Sequence, residues 1–375
     1  MRYPTLFVCA LAGCTPLVDV DVHMEGAVVP GGDAGTVTAE DAGVAADVDA
    51  GITATVDVDA GSEEVPEPSG PCEALPAGVS FGSIGVLDRA QGAPFPRVVL
   101  MGGGHEVDRA SSLFVDGANG GDVLVLRATG STDGYTAYFA EELPVERAPA
   151  SVTTLLLEDP ALASDPAVLC RVDGAEAIWL PGGDQFDYLV TWPDPVREAI
   201  ARAVSRGVAI GGTSAGAMAL SALAFDAALG GVTSSEALAD PSDDAIHIIP
   251  SPIAPPALAG ALVDTHFVAR DREGRLLAFL QRAIVDGADR VLGVGLDESS
   301  ALVIEDGAFT LLSDDEAQAF LYDAAGPEAA DEGALNLEGV LRRSLDDGAV
   351  GAWPPSFADA QELSVVDGVV LLDPG

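Results

Sequence analysis

The sequence predicts a doubly wound α/β domain, a mostly parallel sheet with helices on both faces, and three observations predict it. Short runs of Val, Leu and Ile recur that are apolar on both sides, as strands covered on both faces must be. Several of these runs end in glycine pairs or triplets, which mark a strand leaving the sheet for a loop. Longer stretches with helical spacing separate them.

In chain order, the first element is Met1-Arg2 followed by an apolar run that reaches Leu11-Ala12-Gly13-Cys14. One positive charge, a short apolar core and small residues before a cleavage point describe an export signal over 1–13, too short to span a bilayer. Its close resembles a bacterial lipoprotein signal, which implies that Cys14 carries lipid and that membrane contact is through that anchor alone. Residues 15–71 hold 13 acidic residues, no Lys or Arg, no aromatic residue and Asp-Ala-Gly units at Asp33, Asp41, Asp49 and Asp59. Such a segment cannot bury enough apolar surface to offset the entropy of ordering, so 14–71 is expected to be a flexible tether. The folded domain then spans 72–375. Cys72 and Cys170 are the thiols left to it; export permits a disulfide between them, and spacing leaves the pairing open.

Within the domain, strand-like runs occupy 97–101 before Gly102-Gly103-Gly104, then 122–126, 152–157, 175–180 before Pro181-Gly182-Gly183, and 207–210 before Gly211-Gly212. Helical spacing covers 186–205, with its regular part starting near Pro195, and also 215–224 and 272–285. Strand patterns return over 291–312 as a hairpin at Glu305-Asp306-Gly307, and over 363–372 at Asp367-Gly368, giving a C-terminal β-rich extension. The acidic stretch 313–332 is expected to be a surface elaboration.

Charge narrows the chemistry. With 60 Asp+Glu against 17 Lys+Arg the formal net charge is −43, which excludes a generic nucleic-acid binder. All the cations are arginine, so neither a Schiff-base lysine nor a phosphate-loop lysine exists. Nothing in the pattern calls for a metal or other cofactor. The strongest local signal is Gly212-Thr213-Ser214-Ala215-Gly216, a G-x-S-x-G turn between an apolar strand and a helix of small residues. Such a turn lifts its serine hydroxyl out at the carboxyl edge of the sheet, which makes Ser214 the candidate nucleophile. A serine needs a base, and the histidines are His23, in the tether, His105, His247 and His266. His247, flanked by Ile246 and Ile248, is expected to be a partly buried structural residue. His266 stands before Arg270, Arg272 and Arg275.

These segments resemble the cyanophycinase-like serine peptidases, a family that includes the aspartyl dipeptidases. The matching motifs are Gly211 to Ala217, Gly182-Gly183-Asp184-Gln185, the set Asp264, His266, Arg270, Arg272 and Arg275, and Gly293-Val294-Gly295-Leu296-Asp297-Glu298. Their common order implies a class I glutamine amidotransferase-like sheet, a Ser214–His266–Glu298 triad, and an oxyanion hole from the backbone of Gly183 and Ala215. It further implies that Asp184, Gln185, Asp264, Thr265, Arg270, Arg272 and Arg275 line the substrate site, and that the protein is a homodimer. The implied substrate is cyanophycin, a poly-aspartate whose side chains carry arginine, cleaved to β-Asp-Arg dipeptides. Planar arginines suit its carboxylates. Short peptides with N-terminal aspartate are the alternative substrate, and a catalytically silent surface-binding relative is the alternative role. Thr265 departs from the glutamine usual before the histidine. Asp297, Glu236 and Asp226 compete with Glu298 for the place beside the imidazole.

Overall fold

The computed structural model of the protein describes residues 72–87, 93–326 and 333–373. The expected signal over 1–13, the tether over 14–71 and Cys14 lie outside these residues. In chain order the first half holds β1 (Ser80–Gly85), β2 (Arg97–Met101), α1 (Asp108–Gly117), β3 (Asp122–Arg127), α2 (Asp133–Ala137), β4 (Ser151–Leu156), α3 (Pro166–Gly174), β5 (Ala177–Leu180) and α4 (Asp194–Ser205). Next come β6 (Ala209–Thr213), α5 (Ala215–Ala219), β7 (Leu223–Phe225), α6 (Ser234–Ala239), β8 (Ile248–Pro250), β9 (Ala261–Asp264) and α7 (Glu273–Val285). The chain closes with β10 (Arg290–Leu296), β11 (Ser300–Glu305), β12 (Ala308–Ser313), β13 (Ala319–Ala325), β14 (Leu337–Leu345), β15 (Val350–Ala352), β16 (Gln361–Val366) and β17 (Val369–Leu372).

The main sheet runs β1-β4-β3-β5-β6-β2-β11-β12-β15. Its centre, β4-β3-β5-β6-β2, is parallel, and β1, β11, β12 and β15 join antiparallel. Burial follows the expected pattern: β3, β4, β5 and β6 are covered along nearly their whole length. Helix α4 buries Val196, Ala199, Ile200 and Ala203, one stripe at i, i+3, i+4 and i+7, and starts where Pro195 can sit without a missing hydrogen bond. The expected helix over 215–224 is shorter, because the chain turns after Ala219 to form β7.

The β-rich extension is a second sheet, β17-β16-β14-β13-β10-β9, antiparallel except where β9 meets β10. This corrects the reading of 313–332 as a surface elaboration where it covers Ala319–Ala325; residues 327–332 lie outside the described residues. Strand β13 lies inside that sheet between β10 and β14, with Leu321 and Tyr322 fully buried, although acidic flanks hid its apolar run. Phe279, Leu280 and Ile284 of α7 pack in the apolar core of this half.

A disulfide joins Cys72 to Cys170 on α3, closing 98 residues of sequence. A loop of that length restricts the unfolded chain strongly. The double variant Cys72→Ser/Cys170→Ser is expected to lose about 2–5 kcal/mol of unfolding free energy. Urea melts of the oxidised parent and of the variant give the difference, and coincident curves would contradict it.

Candidate active site

Strand β6 ends at Ser214, whose φ of 53° and ψ of −121° lie in a region L-residues avoid. Holding a serine there costs about 1–3 kcal/mol, so its surroundings must impose the bend. The Ser214 N–H donates to the Met101 carbonyl at 3.0 Å, and the Met218 N–H donates to the Ser214 carbonyl at 3.0 Å. Behind the bend, α5 runs close against the end of β5. A Cβ on Gly216 would collide with the Leu180 carbonyl oxygen, so only glycine lets helix and strand approach this closely.

His266 follows β9 with φ of 50°, its N–H donating to the Gly102 carbonyl at 2.8 Å. Its imidazole lies on Gly103, where a Cβ would overlap the ring. Ser214 Oγ is 2.7 Å from His266 Nε2, and His266 Nδ1 is 2.5 Å from Glu298 Oε1. Glu298 sits where the chain passes from β10 in the second sheet to β11 in the first, and the Ser299 N–H is held by the Gly103 carbonyl at 2.9 Å. The glycine triplet after β2 thus frames the histidine and the carboxylate together. The His266 side chain is 8% exposed and that of Glu298 39%. Burial holds the imidazole below its ordinary pKa of 6.5; the bond to Glu298 opposes this, and the charges of Arg270 and Arg272 add to it. The ring is therefore neutral near neutral pH, the form that accepts a proton.

The rival acids are all engaged elsewhere. Asp297 Oδ1 accepts from the N–H groups of Val268 and Ala269, both at 3.0 Å. Glu236 forms a capping box with Thr233 at the start of α6. Asp226 holds His247 Nδ1 at 2.7 Å, and His247, expected to be partly buried, has 55% of its side chain exposed.

The expected substrate-lining residues divide. The Arg270 side chain is exposed and makes no hydrogen bond or ion pair to another described residue, while Arg272 is mostly covered, donates to the Thr265 carbonyl at 2.8 Å and lies 3.4 Å from the Asp264 carboxylate. Asp184 is exposed and caps the Phe186 N–H at 2.9 Å. Four others depart from expectation. Asp264 is fully buried and takes both forks of the equally buried Arg275, at 2.7 and 2.5 Å, so these two neutralise each other rather than a ligand. Thr265 has no exposed surface, and Gln185 is buried with its amide donating to the Phe225 carbonyl at 3.2 Å. The Gly182–Gly183 turn does lie at the bend, a Cβ on Gly182 falling 3.4 Å from Ser214 Cβ. Ala215 opens α5, so its N–H has no carbonyl one turn back within the helix.

Sequence reasoning missed the part played by Gly102-Gly103-Gly104; the signal was present as an unusual triplet at a strand end. It also missed Glu106, whose carboxyl accepts from the Tyr135 hydroxyl and is pushed by burial up to about 7. That bond ties the glycine loop to α2. Among the described residues no group of three His, Cys, Asp or Glu side chains is arranged to hold a metal ion, and no helix is long and apolar enough to cross a membrane.

Comparison with known proteins gives a family. The chain resembles the crystal structure of a peptidase from an acI-B1 Actinobacterium, at 16% identity and a TM-score of 0.45 over 70% of this chain and 98% of that one. It also resembles a Listeria monocytogenes EGD-e protein named for peptidase E, at 15% identity and a TM-score of 0.37 over 58% and 98% of the two chains. No curated protein matches the sequence. The profile of peptidase family S51 covers residues 114–312, more than half of the chain and every residue from the Ser214 bend to Glu298. The chain belongs to peptidase family S51 and is a serine-type peptidase.

Proposed function

We propose that this peptidase is an exported exopeptidase that hydrolyses cyanophycin to β-Asp-Arg dipeptides through Ser214, His266 and Glu298. The supporting observation is the relay from Ser214 Oγ to His266 Nε2 at 2.7 Å and from His266 Nδ1 to Glu298 Oε1 at 2.5 Å. Nδ1–H donates to Glu298, which leaves Nε2 to accept the serine proton as Oγ attacks the amide carbonyl. The tetrahedral oxyanion faces the N–H groups of Ala215 and Gly183, each worth roughly 3 kcal/mol in the transition state. The imidazolium then protonates the departing amine, leaving an ester on Ser214. Water attacks that ester with His266 again as base, and Glu298 stabilises the positive ring in both halves.

Arg270, whose side chain is exposed and unpaired among the described residues, and Arg272 near it supply cations for the substrate's carboxylates. The same pair suits a short peptide with N-terminal aspartate, so both substrate types belong in the test. Purified protein is incubated with insoluble cyanophycin and with Asp-initiated dipeptides: soluble β-Asp-Arg from the polymer supports the reading, and release from dipeptides alone replaces it with the dipeptidase. Export rests on residues 1–13 and lipid on Cys14. Cys14→Ala is expected to move the protein from the membrane fraction to the soluble one, and an unchanged membrane share would remove the anchor.

A pH prediction follows from the depressed imidazole. The acid limb of kcat/KM is expected below pH 6.5, since the base works only when neutral. Glu298→Gln removes a group that favours the protonated ring, so the limb shifts to lower pH while the rate falls by about 10⁴-fold, as for a mis-oriented triad histidine. Arg270→Gln removes a cation and shifts the limb upward. A limb above 6.5 in the unsubstituted enzyme would contradict the assignment of His266 as base.

A further inference from the structure

A cleft lies against the turn that carries His266. It encloses about 390 Å³, and its lining includes Arg272, Asp271 and Glu273 on one side and Phe320, Arg342 and Ser344 on the other. That is within the roughly 300–1,000 Å³ of small-molecule sites. One wall begins at Phe267, the residue after His266, and the charge of Arg272 is felt at the imidazole. The other wall comes from β13 and β14, beyond residues 114–312 that match the family. One wall of the cleft is therefore supplied by the C-terminal extension.

The groups in it carry both signs. Arg342 lies 4.6 Å over the Phe320 ring and donates Nε–H to Glu273 at 2.7 Å. A guanidinium has five N–H donors, so this contact leaves others for a ligand. Arg272 adds a second cation: its Nη1 reaches the Thr265 carbonyl at 2.8 Å and, at 3.4 Å, the Asp264 carboxylate that it shares with Arg275, and its remaining N–H groups have no partner among the described residues. Asp271, exposed at the rim, offers a carboxylate that bonds no other described residue. Glu273 accepts from Tyr322 at 2.6 Å as well as from Arg342, which fixes the Arg342 fork in place. Two forked cations beside a free carboxylate match a ligand that pairs a carboxylate with a guanidinium.

We infer that this cleft is a second subsite, which takes the zwitterionic unit of the polymer adjoining the unit being cleaved. The inference rests on the proposed reaction for its substrate class, but its test does not require turnover. Binding of β-linked Asp-Arg oligomers of two and four units is measured by calorimetry on the Ser214→Ala protein and on the same protein carrying Arg342→Gln. The four-unit oligomer is expected to bind about tenfold more tightly than the two-unit one, which corresponds to roughly 1.4 kcal/mol. Arg342→Gln is expected to bring that ratio close to one, and Arg342→Lys, which keeps the charge and loses the fork, to give an intermediate ratio. Thermal melts confirm that each variant is folded. Where Arg342→Gln does not fold, Ser344→Glu, which places a negative charge in the cleft, is expected to lower the ratio in its stead. A ratio of one in the parent, or a ratio that no folded variant changes, overturns the subsite. Length-dependent binding without any cleavage by the unsubstituted enzyme would overturn the proposed reaction and leave the subsite standing.

Discussion

Ser214→Ala is expected to lower kcat on the cleaved substrate by roughly 10⁴–10⁶-fold while leaving the protein folded and able to bind. The size follows from the unit character of the relay: without the hydroxyl neither the 2.7 Å contact to His266 nor the acyl ester can form, and only oxyanion stabilisation and positioning remain. The same position yields a stability result of opposite sign. At φ 53° and ψ −121° any side chain is strained, so Ser214→Gly is expected to raise the unfolding free energy by about 1 kcal/mol while abolishing turnover. Urea unfolding beside steady-state kinetics gives both numbers. A glycine variant less stable than its parent would mean that the bend is not the strained element described above.

The second large effect separates structure from substrate binding among the arginines. Asp264→Ala is expected to destabilise the protein by about 3–5 kcal/mol, because it leaves the Arg275 guanidinium buried and unpaired. Arg275 is buried on α7, its guanidinium 5.8 and 5.6 Å from the centroids of the Phe225 and Phe279 rings, which stack on each other at 4.5 Å. The double variant Asp264→Leu/Arg275→Met replaces the pair by apolar groups of comparable size and should recover most of the loss. If Arg275→Met instead leaves the urea midpoint in place and raises KM, Arg275 is a substrate residue and the buried-pair reading fails.

How far the sequence could be read differs between the sheet and the site. The parallel strands were legible because each is apolar on both faces and punctuated by glycine, as at Arg97–Met101 before Gly102. The bend was legible for the same reason: Gly212 and Gly216 mark places where backbone meets backbone, and that demand is local. His266 and Glu298 were reached through family likeness, since nothing local shows that residues 52 and 84 positions after Ser214 fold back onto it. The choice of Glu298 over Asp297 needed coordinates, because adjacent residues in a turn point to different sides. Asp264 and Arg275 misled for a related reason. An acid and a base eleven residues apart read equally well as two ligands for a substrate or as a pair with each other, and only burial decides. Strand β13 was hidden by the acidic residues around it in the sequence: Asp314, Asp315 and Glu316 before it are exposed, while 319–324 are buried.

The central claim is that Ser214 forms a covalent acyl intermediate activated by His266. The most direct measurement mixes enzyme with excess substrate, quenches in acid within milliseconds to seconds, and maps the Ser214-containing peptide by mass spectrometry. An adduct of the acyl fragment's mass on Ser214, accumulating before steady state and absent from His266→Ala, is the expected result. Product released at an undiminished rate by Ser214→Ala, with no adduct on Ser214 at any time in the parent enzyme, would contradict it.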